Sequence, residues 1–179
     1  ASSASGMAAL AAAAGRCAGI EETAVLSELA RLGSGSAARS VYGGWVAWHG
    51  RRAEPIAPLD HMPIAVVIAV ASTGPKHFNS RDAMNHTART SPFYPAWVEQ
   101  AHATFDEALA ALRDRDRARL FHAMERSTWR MHASAMAADP PVFYWLPASV
   151  AVLAEVQAIR KDGLTCGATL DAGPNVKVF

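Results

Sequence analysis

The sequence has almost no excess charge, few cysteines and no apolar run long enough to cross a bilayer. Seventeen Lys and Arg against sixteen Asp and Glu leave a net charge of +1 over 179 residues. That excludes the basic stripe a nucleic-acid-binding surface needs. The densest charge run, RDRDRARL at 113–120, alternates in sign and reads as a solvated helix face. The apolar run PIAVVIAVA at 63–71 falls well short of the ~20 residues a membrane helix requires, so it reads as a buried core strand. Cys17 and Cys166 lie far apart without metal-ligand spacing. They read as small buried hydrophobes in a reducing, cytoplasmic setting. The seven histidines form no HExxH pattern and have no cysteine partner at zinc spacing, so no metal ligand is assigned among them. No signal peptide, initiator Met or internal repeat is visible, and a chain opening on ASSASG is expected to start inside a motif, as a piece of a longer protein.

What the chain does have is a hydrophobic content of 51%, enough to build a real core at this length. Residues 3–18 are rich in Ala and read as a closely packed helix with serines at its start. EETAVLSELARLG follows as an amphipathic helix that Gly33 ends. SVYGGWVAW reads as a strand, HGRRAEPIAPLDH as a connection, and 63–71 as the buried strand. A helix is expected from about Ser80, then two long helices across 91–138, a break at the two prolines of DPPVFYWLP, and a helix opening at Pro147 and ending at Gly163. TCGATLD and VKVF close the chain as two short strands around the turn AGPN. This order predicts an α+β fold, an antiparallel sheet with helices packed on one face. Two domains are expected, 1–72 and 73–179.

Gly33-Ser34-Gly35-Ser36-Ala37-Ala38 matches the G-x-G-x-x-A dinucleotide pattern, and Asp60 follows where such a motif wants an acid. That motif needs a strand before its first glycine and a helix after its last. Here a helix precedes and a strand follows, so the nicotinamide reading is set aside. As a physical object GSGSAARS still suits an anion. Small residues open the backbone N–H groups, Ser34, Ser36 and Ser40 add hydroxyls, and Arg39 carries a bidentate fork. An ordinary turn with a surface arginine explains the same residues. Ser80 and Arg81 in NSRD, and the serines of SSAS at 2–5, are two further candidates of the same kind, with plain helix capping as the alternative. Together they point to a polyanionic ligand without identifying it. Asp171 ends an apolar strand and enters a turn, a place that suits either a turn-forming Asp or a catalytic carboxylate on a rigid rim. Trp97, Trp129, Phe143, Tyr144 and Trp145 read as core and subunit-contact residues rather than a cofactor box.

In this order, ASSASGMAALAAAA, LARLGSGSAARSVYGGWVAW, NSRDAMNHTARTSPFY followed by Trp97, MHASAMAADPPVFYW and TLDAGPNVKV resemble the diphosphomevalonate decarboxylases of the GHMP kinase superfamily. The resemblance covers nearly the whole chain, and GSGSAxRSxxGG with DAGPNV is its most specific part. It implies a GHMP-kinase-like fold, a ribosomal S5 domain 2-like part followed by a ferredoxin-like part, both incomplete. It implies that mevalonate 5-diphosphate is phosphorylated on its 3-hydroxyl by ATP with Mg²⁺ and then loses phosphate and carbon dioxide to give isopentenyl diphosphate. By motif position, Arg39 would hold the substrate carboxylate and Asp171 would orient the 3-hydroxyl or take its proton. Ser34, Gly35, Ser36, Ser80 and Arg81 would cradle the diphosphate, and Ser2 and Ser3 would face the ATP phosphates.

Departures from the family pattern are mild: Asn79 stands where the family has Ser, Ala83 where it has Gly, and Ala38 where it commonly has Cys. The family also carries a longer N-terminal part with an active-site lysine and the adenine site, which is expected to be missing here or supplied by a companion chain. The resemblance further implies a homodimer and no membrane or nucleic-acid partner. Two alternatives remain: a sister enzyme acting on mevalonate monophosphate or stopping at 3-phosphorylation, and a non-catalytic binding or assembly fragment.

Overall fold

A computed structural model of the chain describes residues 3–74 and 79–179. Ser2 and His77 therefore lie outside the described residues. The chain divides into two compact units, Ala1–Pro63 and Ile64–Phe179. The sequence suggests a boundary around 72–80, which composition alone does not fix. The apolar strand just after Pro63 hydrogen-bonds into the C-terminal sheet and so belongs with the second unit.

In the first unit, α1 (Ser3–Cys17) and α2 (Thr23–Gly33) form a helical hairpin. Alanine favours the helix, and the two glycines let the helices approach closely. A Cβ on Gly15 would strike Leu26, and one on Gly33 would strike Met7. A 3-10 helix at Gly35–Arg39 follows, then strands β1 (Trp45–His49) and β2 (Arg52–Ala57), paired antiparallel as a two-stranded sheet. Two expectations change here. The strand read from Ser40 begins only at Trp45, because Ser36–Gly44 turn the chain. Gly44 does so with φ 73°, and a Cβ there would meet the Ala57 carbonyl at 2.7 Å. The stretch read as a connection contains β2. Pro55 is tolerated there because β2 has a single partner, and the register shifts between Trp45 and Val46 beside it. Ser27, fully buried in α2, joins the pieces: its hydroxyl donates to the Ala38 carbonyl at 2.8 Å and accepts from the Ala53 N–H at 3.0 Å.

In the second unit, β3 (Val67–Ala69), β4 (Ala168–Leu170) and β5 (Val176–Val178) form one antiparallel sheet in the order β3-β5-β4. Helices α3 (Ser80–Thr90), α4 (Tyr94–Arg113), α5 (Arg117–Met136) and α6 (Pro147–Lys161) come between β3 and β4 in the chain. Leu170 and Val176 face the helices and bury with Ala168, Val156 and Cys166, while Trp129 and Trp145 pack at the edge of that cluster. The expected antiparallel sheet with helices on one face is thus found here, beside a separate small sheet in the first unit.

The apolar run at 63–71 is not buried. Val66, Ile68 and Val70 are 51%, 60% and 59% exposed. β3 is an edge strand, and even Val67, on the face that Ala69 shares with Val176, is 65% exposed. The charge run at 113–120 is not one helix face. Asp114–Asp116 make the α4–α5 turn, with Arg115 at φ 57°, and Asp116 caps α5 by accepting the Arg119 N–H at 3.0 Å. Cys17 is exposed rather than buried, since it lies at the end of α1. Cys166 is buried as expected.

Glu125 is the buried charge of this unit. Its Oε1 accepts from the Arg160 guanidinium and from the Ala168 N–H at 2.8 Å, fastening α5, α6 and the start of β4 to one oxygen. Removing it orphans the buried Ala168 N–H and strips the Arg160 guanidinium of its carboxylate, leaving it the Cys166 carbonyl. Glu125→Ala is expected to destabilise the second unit by roughly 2–3 kcal/mol, read from urea denaturation.

Candidate active site

The sequence-selected residues fall into both units. Ser3, Ser34, Gly35, Ser36 and Arg39 lie in the first unit, and Ser80, Arg81 and Asp171 lie in the second.

The first group is brought together. The Ser3 hydroxyl lies 3.2 Å from that of Ser34, which lies 3.5 Å from that of Ser36. A chain of three hydroxyls thus joins the first turn of α1 to the loop after α2. The 3-10 helix exists because Ala37 and Ala38 are fully buried and the Ala37 N–H closes back on the Ser34 carbonyl at 2.9 Å. Its first N–H groups point away from intrahelical acceptors, the arrangement that suits an anion. Trp48 on β1 sits beneath the loop. A Cβ on Gly35 would lie 3.1 Å from the indole, and the Arg39 guanidinium carbon stands 5.9 Å from its centroid. Arg39 is otherwise exposed, its fork free to turn to a ligand.

In the second unit, α3 opens at Ser80, but its cap is Asn79. The Asn79 carboxamide oxygen accepts the Arg81 N–H at 3.0 Å, so the cap is not the serine that the sequence reading allowed. Both Ser80 and Arg81 are exposed on the first turn.

Asp171 follows β4 at the mouth of a cavity of about 330 Å³. Phe143, Tyr144 and Trp145 line one wall, and the turn 171–175 with Lys177 lines the other. These aromatics were read as core and contact residues. Trp129 and Trp145 pack against the core cluster, while Phe143 is 57% exposed. The turn is held from several sides. The Asn175 carboxamide oxygen accepts the N–H groups of Ala71 and Ser72 at 2.9 and 3.1 Å. The Ser149 hydroxyl donates to the Pro174 carbonyl at 2.6 Å while accepting the Leu146 N–H. The Gly173 N–H donates to the Asp171 carbonyl at 2.7 Å. The Asp171 carboxylate is exposed, and its Oδ2 lies 2.5 Å from the Lys177 ammonium.

Behind this rim His132 is 1% exposed. Its Nε2 is 3.2 Å from the Leu170 carbonyl, and its Nδ1 accepts from the Trp145 indole N–H at 3.1 Å. That pairing makes the ring neutral with the proton on Nε2. Burial pushes its pKa below 6.5, against smaller opposing effects of the Leu170 carbonyl and Asp171. Burial likewise raises Tyr144 above its ordinary value.

Sequence reasoning missed Asn175, Ser149, His132 and Lys177. Asn175 sat in view beside Gly-Pro. His132 and Ser149 carry no local signal toward Leu170 and Pro174, which are distant in the chain, and Lys177 reaches Asp171 only through the β4–β5 hairpin. Among the described residues no group of three or more His, Cys, Asp or Glu is placed to hold a metal ion. Among the described residues no helix is long and apolar enough to cross a membrane.

Two family models match the chain. One, described as the diphosphomevalonate decarboxylase-like N-terminal domain, covers residues 1–55. The other, the mevalonate 5-diphosphate decarboxylase C-terminal domain, covers 66–179. The chain belongs to the diphosphomevalonate decarboxylase family. Its human relative is 35% identical over the whole of this chain and 47% of its own length. The Candida albicans relative is 33% identical over the whole of this chain and 52% of its own. The crystal structure of mevalonate diphosphate decarboxylase from Staphylococcus aureus superposes with a TM-score of 0.91 at 39% identity, over 99% of this chain and 56% of that one. A structure described as MDDEF in complex with MVAPP, AMPPCP and magnesium gives 0.92 at 39% identity, over 99% and 57%. The chain thus spans about half the length of the decarboxylases it matches. Its incomplete GHMP-kinase-like architecture is the family's fold.

Because the native state resists protonating His132 and the unfolded chain does not, stability is expected to fall as pH drops below 6.5 and to level off beneath the lowered native value. NMR titration should place the ring's midpoint below 6.5, and His132→Phe should flatten this part of the stability profile.

Proposed function

We propose that this chain is the substrate-clamping and phosphoryl-accepting half of an ATP-dependent mevalonate diphosphate decarboxylase. The observation that carries the reading is Asp171, an exposed carboxylate at the cavity mouth, on a turn that Asn175 and Ser149 hold rigid. The family match over both units supports it. So do the relatives solved with MVAPP, with AMPPCP and magnesium, or as a study of ATP binding mediated by mevalonate diphosphate.

In this reading Asp171 accepts a hydrogen bond from the substrate's tertiary 3-hydroxyl, orients it and takes its proton. Arg39, seated on Trp48, grips the substrate carboxylate through its fork. The N–H groups and hydroxyls at Ser34, Gly35 and Ser36 take diphosphate oxygens, and Ser80 and Arg81, on the first turn of α3, offer a further anion contact. Once the 3-oxygen carries phosphate, its departure leaves developing positive charge on the tertiary carbon. The carbon–carbon bond to the carboxylate then supplies electrons as carbon dioxide leaves.

The residues present also fit a nucleotide polyphosphate. The Ser3 hydroxyl stands on the first turn of α1, where Ser2 and Ser3 would meet phosphate oxygens, and its contact with Ser34 joins that turn to the diphosphate loop. When bound, ATP with Mg²⁺ supplies the phosphoryl group and offsets its charge. A homodimer in the cytoplasm goes with this reading.

Full-length protein given ATP and mevalonate diphosphate is expected to release carbon dioxide, measured by coupled assay and product mass. Asp171→Ala should lower kcat roughly 10²- to 10⁴-fold. Arg39→Ala should lower kcat/KM by about 10²-fold, through loss of a charged bidentate contact. Full turnover in either variant would contradict the reading.

A further inference from the structure

Lys177 lies in the middle of β5, the central strand of the C-terminal sheet. Its cross-strand neighbours are Thr169 on β4 and Ile68 on β3. These three residues share one face of the sheet, while Val176 and Leu170 turn to the helices and are buried. The strand period of two therefore sends the Lys177 side chain to the open face, where it lines the cavity with Asp171. Among the described residues lining that cavity, Lys177 is the one cation and Asp171 the one carboxylate. The two meet at 2.5 Å, with the carboxylate side chain 81% exposed and the lysine 32% exposed. An ion pair so open to solvent adds little to stability, so the fold gains little from this lysine. It is also easily parted by a ligand that offers both groups better partners.

We propose that Lys177 is a further catalytic residue, the resting counter-ion of Asp171 that passes to the oxygens of the transferring phosphoryl group when the substrate hydroxyl takes its place on the carboxylate. This rests on the phosphoryl-transfer reading given above. The 3-oxygen forms its bond to phosphorus as the bond from phosphorus to the bridging oxygen of ADP breaks, and that oxygen keeps the electron pair. The hydroxyl proton goes to Asp171, which the departing ammonium has freed to accept it. The ammonium meets negative charge spread over the phosphoryl oxygens, a role that suits a compact, mobile point charge on a flexible stem. The ligand class is thus a phosphoryl group in flight to an alcohol, with ATP as donor.

Steady-state kinetics on the full-length protein tests this, with ATP and mevalonate diphosphate varied separately and melting followed in parallel. Lys177→Met keeps the apolar stem and removes the charge. Its kcat should fall at least about tenfold with KM for mevalonate diphosphate within about threefold, since the lost contact exists chiefly in the transition state. Lys177→Arg should retain kcat to within about tenfold of wild type, and all variants should melt as wild type does, as expected for an exposed pair. Lys177→Gln is a second neutral variant held to the same criteria should the Met variant fold poorly. A smaller fall in kcat, or a rise in KM alone, overturns the proposal while leaving the decarboxylase reading standing. Wild-type protein that releases no carbon dioxide overturns both.

Discussion

β5 is hydrogen-bonded along both edges, to β3 on one side and β4 on the other, and the C-terminal unit is arranged around that double pairing. The strand is only three residues long, so each side chain has a defined task. Val176 is buried against the helices, Lys177 points to the open face, and Val178 packs at the edge of the core. Because β4 and β5 are joined by a short turn, pairing them brings Asp171 to the sheet rim. Because β3 pairs with the same strand, its exit reaches that turn, and Asn175 can capture the N–H groups of Ala71 and Ser72 across a long sequence gap. A long-range pairing thus supplies a rigidity that a loop carboxylate would otherwise lack.

The same logic works from beneath. Glu125 on α5 holds the entrance to β4 through the Ala168 N–H, and His132, farther along that helix, reaches the Leu170 carbonyl at its exit. One helix therefore holds both ends of the strand that delivers the acid. His132 does so as a neutral ring, which costs far less to bury than a cation. The anion loop of the first unit is built in a comparable way. Ser27 ties the end of the 3-10 helix to β2, and Trp48 supports Gly35 and Arg39. In both units a surface group that can meet a ligand, Arg39 or the ion-paired Asp171, is backed by a buried group whose hydrogen bonds are made.

Local sequence carried much of this. Ala-rich and amphipathic periodicity located the helices, the prolines marked the break after α5, and the motifs singled out Arg39 and Asp171 before any geometry was known. It failed where the outcome depended on a partner. The apolar run around β3 reads as core because every residue in it is hydrophobic, yet its exposure was decided by which elements lie over it. β2 was hidden by Pro55, which a strand with one partner tolerates and a central strand does not. The alternating charges at 113–120 fit a helix face equally well until the left-handed Arg115 turned the chain.

By itself, then, the sequence determined the order of elements, the near-neutral charge and the chemical groups on offer: a fork at Arg39, hydroxyls around Ser34, a carboxylate at Asp171. These follow from side-chain chemistry and spacings of a few residues, which act within a segment. Only the tertiary structure decided that Ser3 joins Ser34 and Ser36, that His132 supports the β4 rim, and that Lys177 meets Asp171 across a hairpin. Those contacts depend on strand register and helix packing, which join residues that no local pattern relates.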